Sequence, residues 1–218
     1  MTKLIALCVM LLASGAWLLL AVWGEGGFGV FFADSARTAL IIIAFLLTVS
    51  AVFTQGNISR GEKEDRGNRW VLWMVLVVGS LDGWLPAYSD RVGLLTFGGE
   101  DVRWAGVILF TLGGILRLWP VFILGRRFSG LVAIQKDHHL VTDGIYKTIR
   151  NPSYLGLLIS VVGWALAFRS ILGLGLAAMF VPVLIGRMRS EERLLFGYFG
   201  AEYEAYRANS WRLIPHVY

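Results

Sequence analysis

The sequence predicts an all-α integral membrane protein, because its apolar residues are more numerous than those of an average soluble domain and fall in long runs. Hydrophobic residues make up 56% of the 218 positions and charged residues only 16%. The mean hydropathy is +0.65. A helix of about 20 apolar residues crosses a bilayer, so this composition favours several spans over a single soluble core.

Six segments approach the length of a span, which predicts about six transmembrane helices. The last two are separated only by Arg169 and Ser170, so the sequence predicts that they form a tight helical hairpin. The predicted spans are 4–23, 37–53, 70–88, 103–124, 154–168 and 171–188.

The distribution of positive charge predicts the orientation of these spans. Most of the 20 Lys and Arg residues fall in loops on one side of the predicted membrane. Such loops are typically cytoplasmic, so both termini are expected in the cytoplasm, and in a prokaryote the protein would lie in the inner membrane. The formal net charge of +5 follows from the same bias, because basic loops face anionic headgroups. It therefore requires no nucleic-acid partner.

Two polar blocks interrupt the apolar sequence, both on the predicted cytoplasmic side. The first is HHLVTDGIYKTIRNPSY, from His138 to Tyr154, and the second is RMRSEERLLFGYFGAEYEAYR, from Arg187 to Arg207. Ionisable groups close to a bilayer are costly and are usually kept for function. The blocks are therefore the predicted location of the chemistry.

The first block predicts a turn that leads into the fifth span. Gly144 permits a turn, and Pro152 disfavours helix at Asn151. Arg150, Asn151 and Tyr154 should then lie at a helix N-terminus, whose free N–H groups suit a carboxylate or a sugar hydroxyl. An ordinary interfacial turn with an aromatic anchor explains the same residues, and this block alone leaves both interpretations open.

The second block adds a pair of carboxylates where the sixth span leaves the membrane. Arg187 and Glu191 are four residues apart and share a helix face, with Glu192 next in sequence. These groups can bind hydroxyls or an ammonium group, with Arg187 orienting the carboxylate. A solvated helix on the membrane explains Glu202 and Glu204 better than it explains Glu191 and Glu192.

Two charges inside the predicted spans have no assigned role. Asp82 and Arg117 could form a structural pair, although their predicted depths differ by roughly 8 Å at about 1.5 Å per helical residue. Arg117 could instead extend to the nearer interface or lie beside the active cavity.

Other catalytic chemistries lack their usual residues. The one cysteine, Cys8, lies in the first span, so neither a disulfide nor a Cys-ligated metal is expected. His138 and His139 are adjacent and point in different directions, and no metal site is predicted. No nucleophile elbow, P-loop or HExxH motif is present in the sequence.

The two blocks together resemble a known family. HLVTDGIYKTIRNPSYLG, followed by RMRSEERLLFGYFGAEYEAYRANSWRLIP, is similar to the C-terminal region of the isoprenylcysteine carboxyl methyltransferases, which also resemble the phospholipid N-methyltransferases. The similarity covers roughly 124–215. Two positions depart from the family pattern, since Asn151 replaces a usual His and Ile145 replaces a frequent Pro.

The resemblance implies a membrane-embedded methyltransferase that uses S-adenosylmethionine and acts on a lipophilic acceptor. The acceptor would be an isoprenoid-linked carboxylate or thiol, or a lipid amine. The implied division of the chain is 1–124, a four-span membrane region, and 125–218, a catalytic region with two spans and a cytosolic cofactor pocket. The pocket would be built from the loop before the fifth span, the start of that span and the C-terminal helix. The oligomeric state is left open.

The resemblance also implies the site residues, carried over by position. The implied catalytic residues are Arg187, Glu191 and Arg150. The implied cofactor-binding residues are His139, Leu140, Val141, Gly144, Tyr146, Arg150, Asn151, Pro152, Tyr154, Leu155, Glu191 and Glu192.

A non-catalytic membrane scaffold or a small transporter is the alternative to an enzyme. A transporter should concentrate polar residues near the bilayer midplane. Here the polar residues cluster at one face, which favours the enzyme.

Overall fold

Six long helices carry the fold of the computed structural model, which describes residues 3–54, 63–64, 70–125, 133–134 and 140–218. The eight helices of this part are α1 (Lys3–Gly24), α2 (Phe28–Phe32), α3 (Ser35–Val52), α4 (Trp70–Val92), α5 (Glu100–Leu124), α6 (Pro152–Ala167), α7 (Ile171–Phe199) and α8 (Ala201–Ala208). Two short strands, β1 (Lys63–Glu64) and β2 (Ala133–Ile134), pair in antiparallel fashion. A 3₁₀ turn, Gly144–Lys147, precedes α6.

The helical class is confirmed, with several differences from the predicted elements. The connector predicted after the first span contains the short helix α2, and the two-residue strands β1 and β2 were not predicted. Helix α7 continues beyond the predicted end at Met188 to Phe199. The second polar block therefore begins inside a continuous helix, which fixes the direction of its carboxylates.

Two of the described helices, α5 and α7, are long and apolar enough to cross a membrane. Shorter apolar helices accompany them at Leu11–Gly24, Ser35–Ala51 and Pro152–Ala167. The number of six spans and their orientation stay predictions.

The six long helices form a closed ring. Helix α1 packs on α4, α4 on α7, α7 on α6, α6 on α5, α5 on α3, and α3 on α1. Only Phe168, Arg169 and Ser170 connect α6 to α7, so the predicted tight connection between the last two long helices is present. Because α6 packs against both α5 and α7, its position depends on both neighbours.

Helices α5 and α6 approach each other closely enough for their backbones to touch. A Cβ atom added at Gly113 would lie 2.5 Å from the backbone nitrogen of Ser160, and one added at Gly156 would collide with the backbone nitrogen of Arg117. Gly106 and Gly163 make the same kind of contact nearer the other end. Each helix thus places two glycines seven residues apart on one face, which permits close antiparallel packing.

The side chain of Trp164 in α6 lies at the centre of the ring of helices. Pro86 lacks an N–H group, so the carbonyl of Asp82, four residues earlier in α4, has no helical donor. The Nε1–H group of Trp164 donates to this carbonyl at 2.8 Å. The fully buried Trp164 ring also lies 4.2 Å from the Trp17 ring and 5.8 Å from the Phe110 ring, measured between centroids. One side chain therefore joins α6 to α1, α4 and α5.

The considered pair of Asp82 and Arg117 does not form. Asp82 is buried, and its Oδ1 atom has no hydrogen-bond partner among the residues that the structure describes. Arg117 lies instead within electrostatic range of Tyr154 and Arg187. A transporter path through the two charges therefore has no support, and Arg117 lies beside the polar blocks.

A buried cluster of charges connects the helices at the end of the helical ring away from the polar blocks. Asp90 is its centre, with one oxygen 2.6 Å from Arg103 Nη1 and the other 2.7 Å from Arg169 Nη2. Arg37 pairs with the buried Glu25 and lies 3.8 Å from Asp90. The sequence patterns do not predict this cluster, because its members come from three different helices and two connecting segments.

The glycine contact between α5 and α6 makes Gly156→Ala destabilising. A methyl group at this position must push the two backbones apart, and such overpacking typically costs about 1–3 kcal/mol. Thermal unfolding in detergent measures the loss. Gly175→Ala in α7 is the matched control, because a Cβ atom there meets nothing within 4 Å. It should leave stability unchanged or raise it by about 0.5–1 kcal/mol, and equal losses in the two variants would contradict the close approach.

Glu25 makes the stability of the fold dependent on pH. Burial raises the pKa of Glu25 from 4.5 to about 7, and the guanidinium of Arg37 only partly offsets this. Between about pH 4.5 and 7 the folded state therefore retains the proton that the unfolded chain releases. The free energy of unfolding should fall as the pH rises through this window. Thermal unfolding measured across this pH range should show the decrease of stability with pH in the parent protein and no such decrease in Glu25→Gln. Glu100→Gln, at an exposed member of the same cluster, should show the same decrease as the parent.

Candidate functional site

The structure brings the two polar blocks together with a third segment, the C-terminal tail (209–218). The Arg150 N–H group donates to the carbonyl of Trp211 at 2.8 Å, and the Trp211 N–H group donates to the carbonyl of Thr148 at 2.9 Å. The loop before α6 is therefore paired with the tail along the backbone. The site is built from this loop, the first turn of α6, the end of α7, α8 and the tail.

Tyr154, Arg187 and Glu191 form one group, here called the tyrosine group. The Tyr154 hydroxyl donates to Glu191 Oε1 at 2.6 Å and accepts from Arg187 Nε at 2.6 Å. Arg187 Nε also lies 3.3 Å from Glu191 Oε1, as the shared helix face predicts. Among the described residues no hydrogen bond engages Glu191 Oε2. Because the Glu191 side chain is 26% exposed, this oxygen can accept from a ligand.

Arg150, Glu192 and Arg212 form a second group, here called the Glu192 clamp. Arg212 Nη2 donates to Glu192 Oε2 at 2.7 Å, and Arg212 Nε lies 3.0 Å from both carboxylate oxygens. Arg150 Nε donates to Glu192 Oε1 at 3.3 Å. Arg150 Nη1 donates to the carbonyls of Arg207, at 3.0 Å, and Ser210. The two adjacent carboxylates of the second block thus have separate partners.

The loop before α6 is held by tyrosines. Gly144 begins the 3₁₀ turn with a φ of +58°, which confirms the turn predicted at this residue. Tyr146 is buried, and its carbonyl accepts from the Tyr206 hydroxyl of α8 at 2.8 Å. Burial raises the pKa of Tyr206 to about 12, and it also raises the pKa of Tyr146. Both hydroxyls therefore keep their protons at neutral pH, and Tyr206 remains a donor.

Asn151 stands at the N-cap of α6, with Pro152 at the first helical position, but its side chain does not cap the helix. Its Nδ2 atom donates instead to the carbonyl of Arg212 at 3.0 Å. The amide that replaces the family's usual His is therefore used to hold the tail. The N–H groups of the first turn of α6 receive no hydrogen bond from the Asn151 side chain.

The remaining predicted site residues lie around these groups. Leu155 packs against an apolar cluster of Leu184, Met188 and Leu213 beneath the site. Pro152 is buried, Leu140 is half-buried and Val141 lies beside it in the loop. His139 lies outside the described residues.

The tail was missed as a source of site residues, although it lies within the similar sequence. Arg212 and Tyr218 contact each other through Nη1 and the hydroxyl, and the Arg212 guanidinium lies 4.9 Å from the centre of the Tyr218 ring. The sequence feature that could have indicated a role for the tail is the segment WRLIP, which contains one arginine close to the end of the similar sequence. Its partner in α7 cannot be read from local spacing.

Comparison with known proteins decides the family. A family model of phospholipid methyltransferases matches residues 102–202, from α5 into α8. A protein-S-isoprenylcysteine O-methyltransferase of Schizosaccharomyces pombe is 31% identical over 162 residues, which cover 66% of this chain and 67% of that protein. The chain belongs to the isoprenylcysteine carboxyl methyltransferase family. This membership confirms the resemblance predicted from the two polar blocks.

Other similar members of the isoprenylcysteine carboxyl methyltransferase family come from distant eukaryotes. The Dictyostelium discoideum enzyme named protein-S-isoprenylcysteine O-methyltransferase is 32% identical over 150 residues, covering 66% of this chain and 61% of that protein. An Arabidopsis thaliana relative, form B, is 35% identical over 115 residues and is covered over 58% of its length. The chain thus spans about three-fifths to two-thirds of the length of these relatives.

A solved structure shows the same fold. It is described as the eukaryotic intramembrane Ras methyltransferase, isoprenylcysteine carboxyl methyltransferase, and it matches with a TM-score of 0.52 at 18% identity. The match covers 100% of this chain and 88% of that one. The fold of this chain is therefore similar to the fold of that methyltransferase.

The hydrogen bonds of the tyrosine group predict that removal of the Tyr154 hydroxyl destabilises the protein. Tyr154→Phe deletes a hydroxyl that bonds to both a carboxylate and a guanidinium, and hydrogen bonds to charged groups contribute about 1.5–3 kcal/mol. Unfolding in detergent should show a loss of this size. Tyr198→Phe is the control, because Tyr198 is exposed in the same helix as Glu191. A Tyr154→Phe protein as stable as the control would contradict the described bonds.

Proposed function

We propose that this chain is a membrane-embedded methyltransferase that depends on S-adenosylmethionine and methylates a lipophilic acceptor. The observation that carries the proposal is the tyrosine group, in which one carboxylate oxygen of Glu191 is engaged by none of the residues that the structure describes and lies beside the Arg187 guanidinium. Membership of the family supports the choice of methyl transfer. The names of these relatives describe O-methylation of S-isoprenylcysteine, which favours a carboxylate oxygen over a thiol or a lipid amine as the acceptor atom.

The residues present fit S-adenosylmethionine. This cofactor carries hydroxyl and ammonium donors as well as a carboxylate, and when bound it supplies a methyl group on a sulfonium. Glu191 Oε2 would accept from a donor of the cofactor, and Arg187 would hold the Glu191 carboxylate in place. The faces of Tyr146 and Tyr154 would stabilise positive charge through cation–π attraction. Leu140, Val141, Gly144 and Leu155 would supply the surrounding walls.

The arrangement needs no protein nucleophile. Displacement at a sulfonium methyl group is a single in-line step, so the protein has to orient donor and acceptor and exclude water. The tyrosine group lies where α6 begins and in the part of α7 beyond its apolar stretch. A polar cofactor would enter this end from the cytoplasm, and an apolar acceptor would enter laterally from the lipid. This division accounts for a polar site on an apolar scaffold.

Binding of S-adenosylhomocysteine, measured by isothermal titration in detergent, tests the cofactor. The parent protein should bind, and Glu191→Gln should weaken binding by about ten- to a hundredfold, because it replaces a charged acceptor with a neutral one. Glu202→Gln is the matched control, at an exposed carboxylate in α8. A parent protein that does not bind would overturn the proposal. Equal affinity in the two variants would place the pocket elsewhere.

Transfer of a labelled methyl group tests the acceptor. An S-farnesylated cysteine with a free carboxylate should be methylated, and its carboxamide counterpart should not, because the amide offers no anionic oxygen. Mass spectrometry of the product identifies the modified atom. Methylation of a lipid amine in its place would support the methyltransferase activity but reject a carboxylate as the acceptor.

A further inference from the structure

We infer that Glu192 is a positioning residue, which clamps the C-terminal tail to the loop before α6 and does not touch the cofactor. The inference rests on the proposed function, and it gives Arg150 the same indirect role in place of the catalytic contact that the family resemblance implies. Glu191, its neighbour in sequence, would be the carboxylate that faces the ligand. Of the two consecutive glutamates, Glu191 would then contact the ligand and Glu192 would position the surrounding segments.

The hydrogen bonds of Glu192 support this division. Oε1 accepts from Arg150 at 3.3 Å and from Arg212 at 3.0 Å, and Oε2 accepts from Arg212 at 3.0 and 2.7 Å. Both oxygens are therefore occupied by the protein itself. The side chains of Glu192 and Arg150 are each 8% exposed, so little of either is accessible to a ligand. Glu191, in contrast, has an oxygen that no residue in the described part of the chain engages, and its side chain is more exposed.

The clamp joins three separate segments of the chain. Arg150 ends the loop before α6, Glu192 lies in α7 and Arg212 lies in the tail. Around it, the backbone pairing of Arg150 with Trp211 and the bond from Asn151 to the Arg212 carbonyl hold the same segments together. Removing one partner from a buried ion pair leaves an uncompensated charge. Loss of the carboxylate would leave two neighbouring guanidiniums that repel each other.

Clamping explains how the tail can affect cofactor binding without contacting the cofactor. The loop that Arg150 ends also contains Tyr146, and Asn151 is followed three residues later by Tyr154. If the tail detaches, the loop before α6 and the first turn of α6 lose one of their anchors, and the Tyr154 hydroxyl is held less firmly against Glu191. Cofactor affinity should then fall although no ligand contact has been removed.

Two variants separate a clamp from a ligand contact. Glu192→Gln removes the central carboxylate, and Arg212→Ala removes its partner in the tail but leaves the carboxylate with its contact to Arg150. A clamp predicts the same outcome for both: faster amide hydrogen exchange in 209–218 and 140–151, and a KM for S-adenosylmethionine raised about tenfold or more, with a smaller change in kcat. A ligand contact predicts the opposite for Arg212→Ala, since Glu192 Oε2, released from Arg212, would bind a cationic ligand at least as well.

Conservative and distant variants complete the experiment. Arg212→Lys keeps the charge but not the two-pronged contact, so its exchange rate and KM should lie between those of the parent and Arg212→Ala. Glu204→Gln, at an exposed residue of α8, should match the parent in both. Retained or improved cofactor affinity in Arg212→Ala, or unchanged exchange in both main variants, would overturn the inference.

Hydrogen exchange keeps this test separate from the proposed function. It is measured on the protein without cofactor, so it reports on the clamp even if the parent protein fails to bind S-adenosylhomocysteine. Failure of the parent to bind rejects the methyltransferase proposal. Unchanged exchange in the variants rejects the clamp.

Discussion

The backbone contact between α5 and α6 is the constraint on which the position of the site depends. With Gly113 and Gly156 at the contact, no side chain separates the two helices, so neither can rotate without a collision. Ser153, in the first turn of α6, donates to the carbonyl of Arg117 at 3.1 Å where this contact ends. The start of α6, and with it Tyr154, is therefore fixed relative to α5. Helix α7 then needs only to pack on α6 to bring Arg187 and Glu191 to the tyrosine hydroxyl.

The two ends of the ring use charge in different ways. At one end Asp90 binds Arg103 and Arg169, and most of the charge is neutralised within the protein. At the other end the Glu192 clamp is similarly closed, but the adjacent tyrosine group is not. Within the described ranges one oxygen of Glu191 has no hydrogen-bond partner, and Arg117 lies nearby. The side chains of Asp90 and Arg103 are almost fully buried, whereas the Glu191 side chain is 26% exposed, so accessibility to a ligand distinguishes the candidate site from the structural cluster.

The sequence predicted what depends on local spacing and missed what depends on contacts between distant segments. The helical class, the turn at Gly144 and the shared face of Arg187 and Glu191 follow from composition or from neighbours a few residues apart, and the structure has all three. The partner of Glu192 could not be found in this way, because Arg212 is twenty residues away on another segment. The paired glycines of α5 and α6 and the cluster around Asp90 were missed for the same reason. Each local pattern there is ordinary until the partner helix is known.

The bond from Trp164 to the carbonyl freed by Pro86 has a consequence for how this sequence can change over generations. A proline within a helix is tolerated here because an indole from another helix supplies the missing donor. Loss of the tryptophan alone would leave a buried carbonyl without a partner, whereas loss of the proline alone would restore a helical donor that competes with the indole. The two positions, 78 residues apart in α4 and α6, are therefore expected to covary among descendants of this chain.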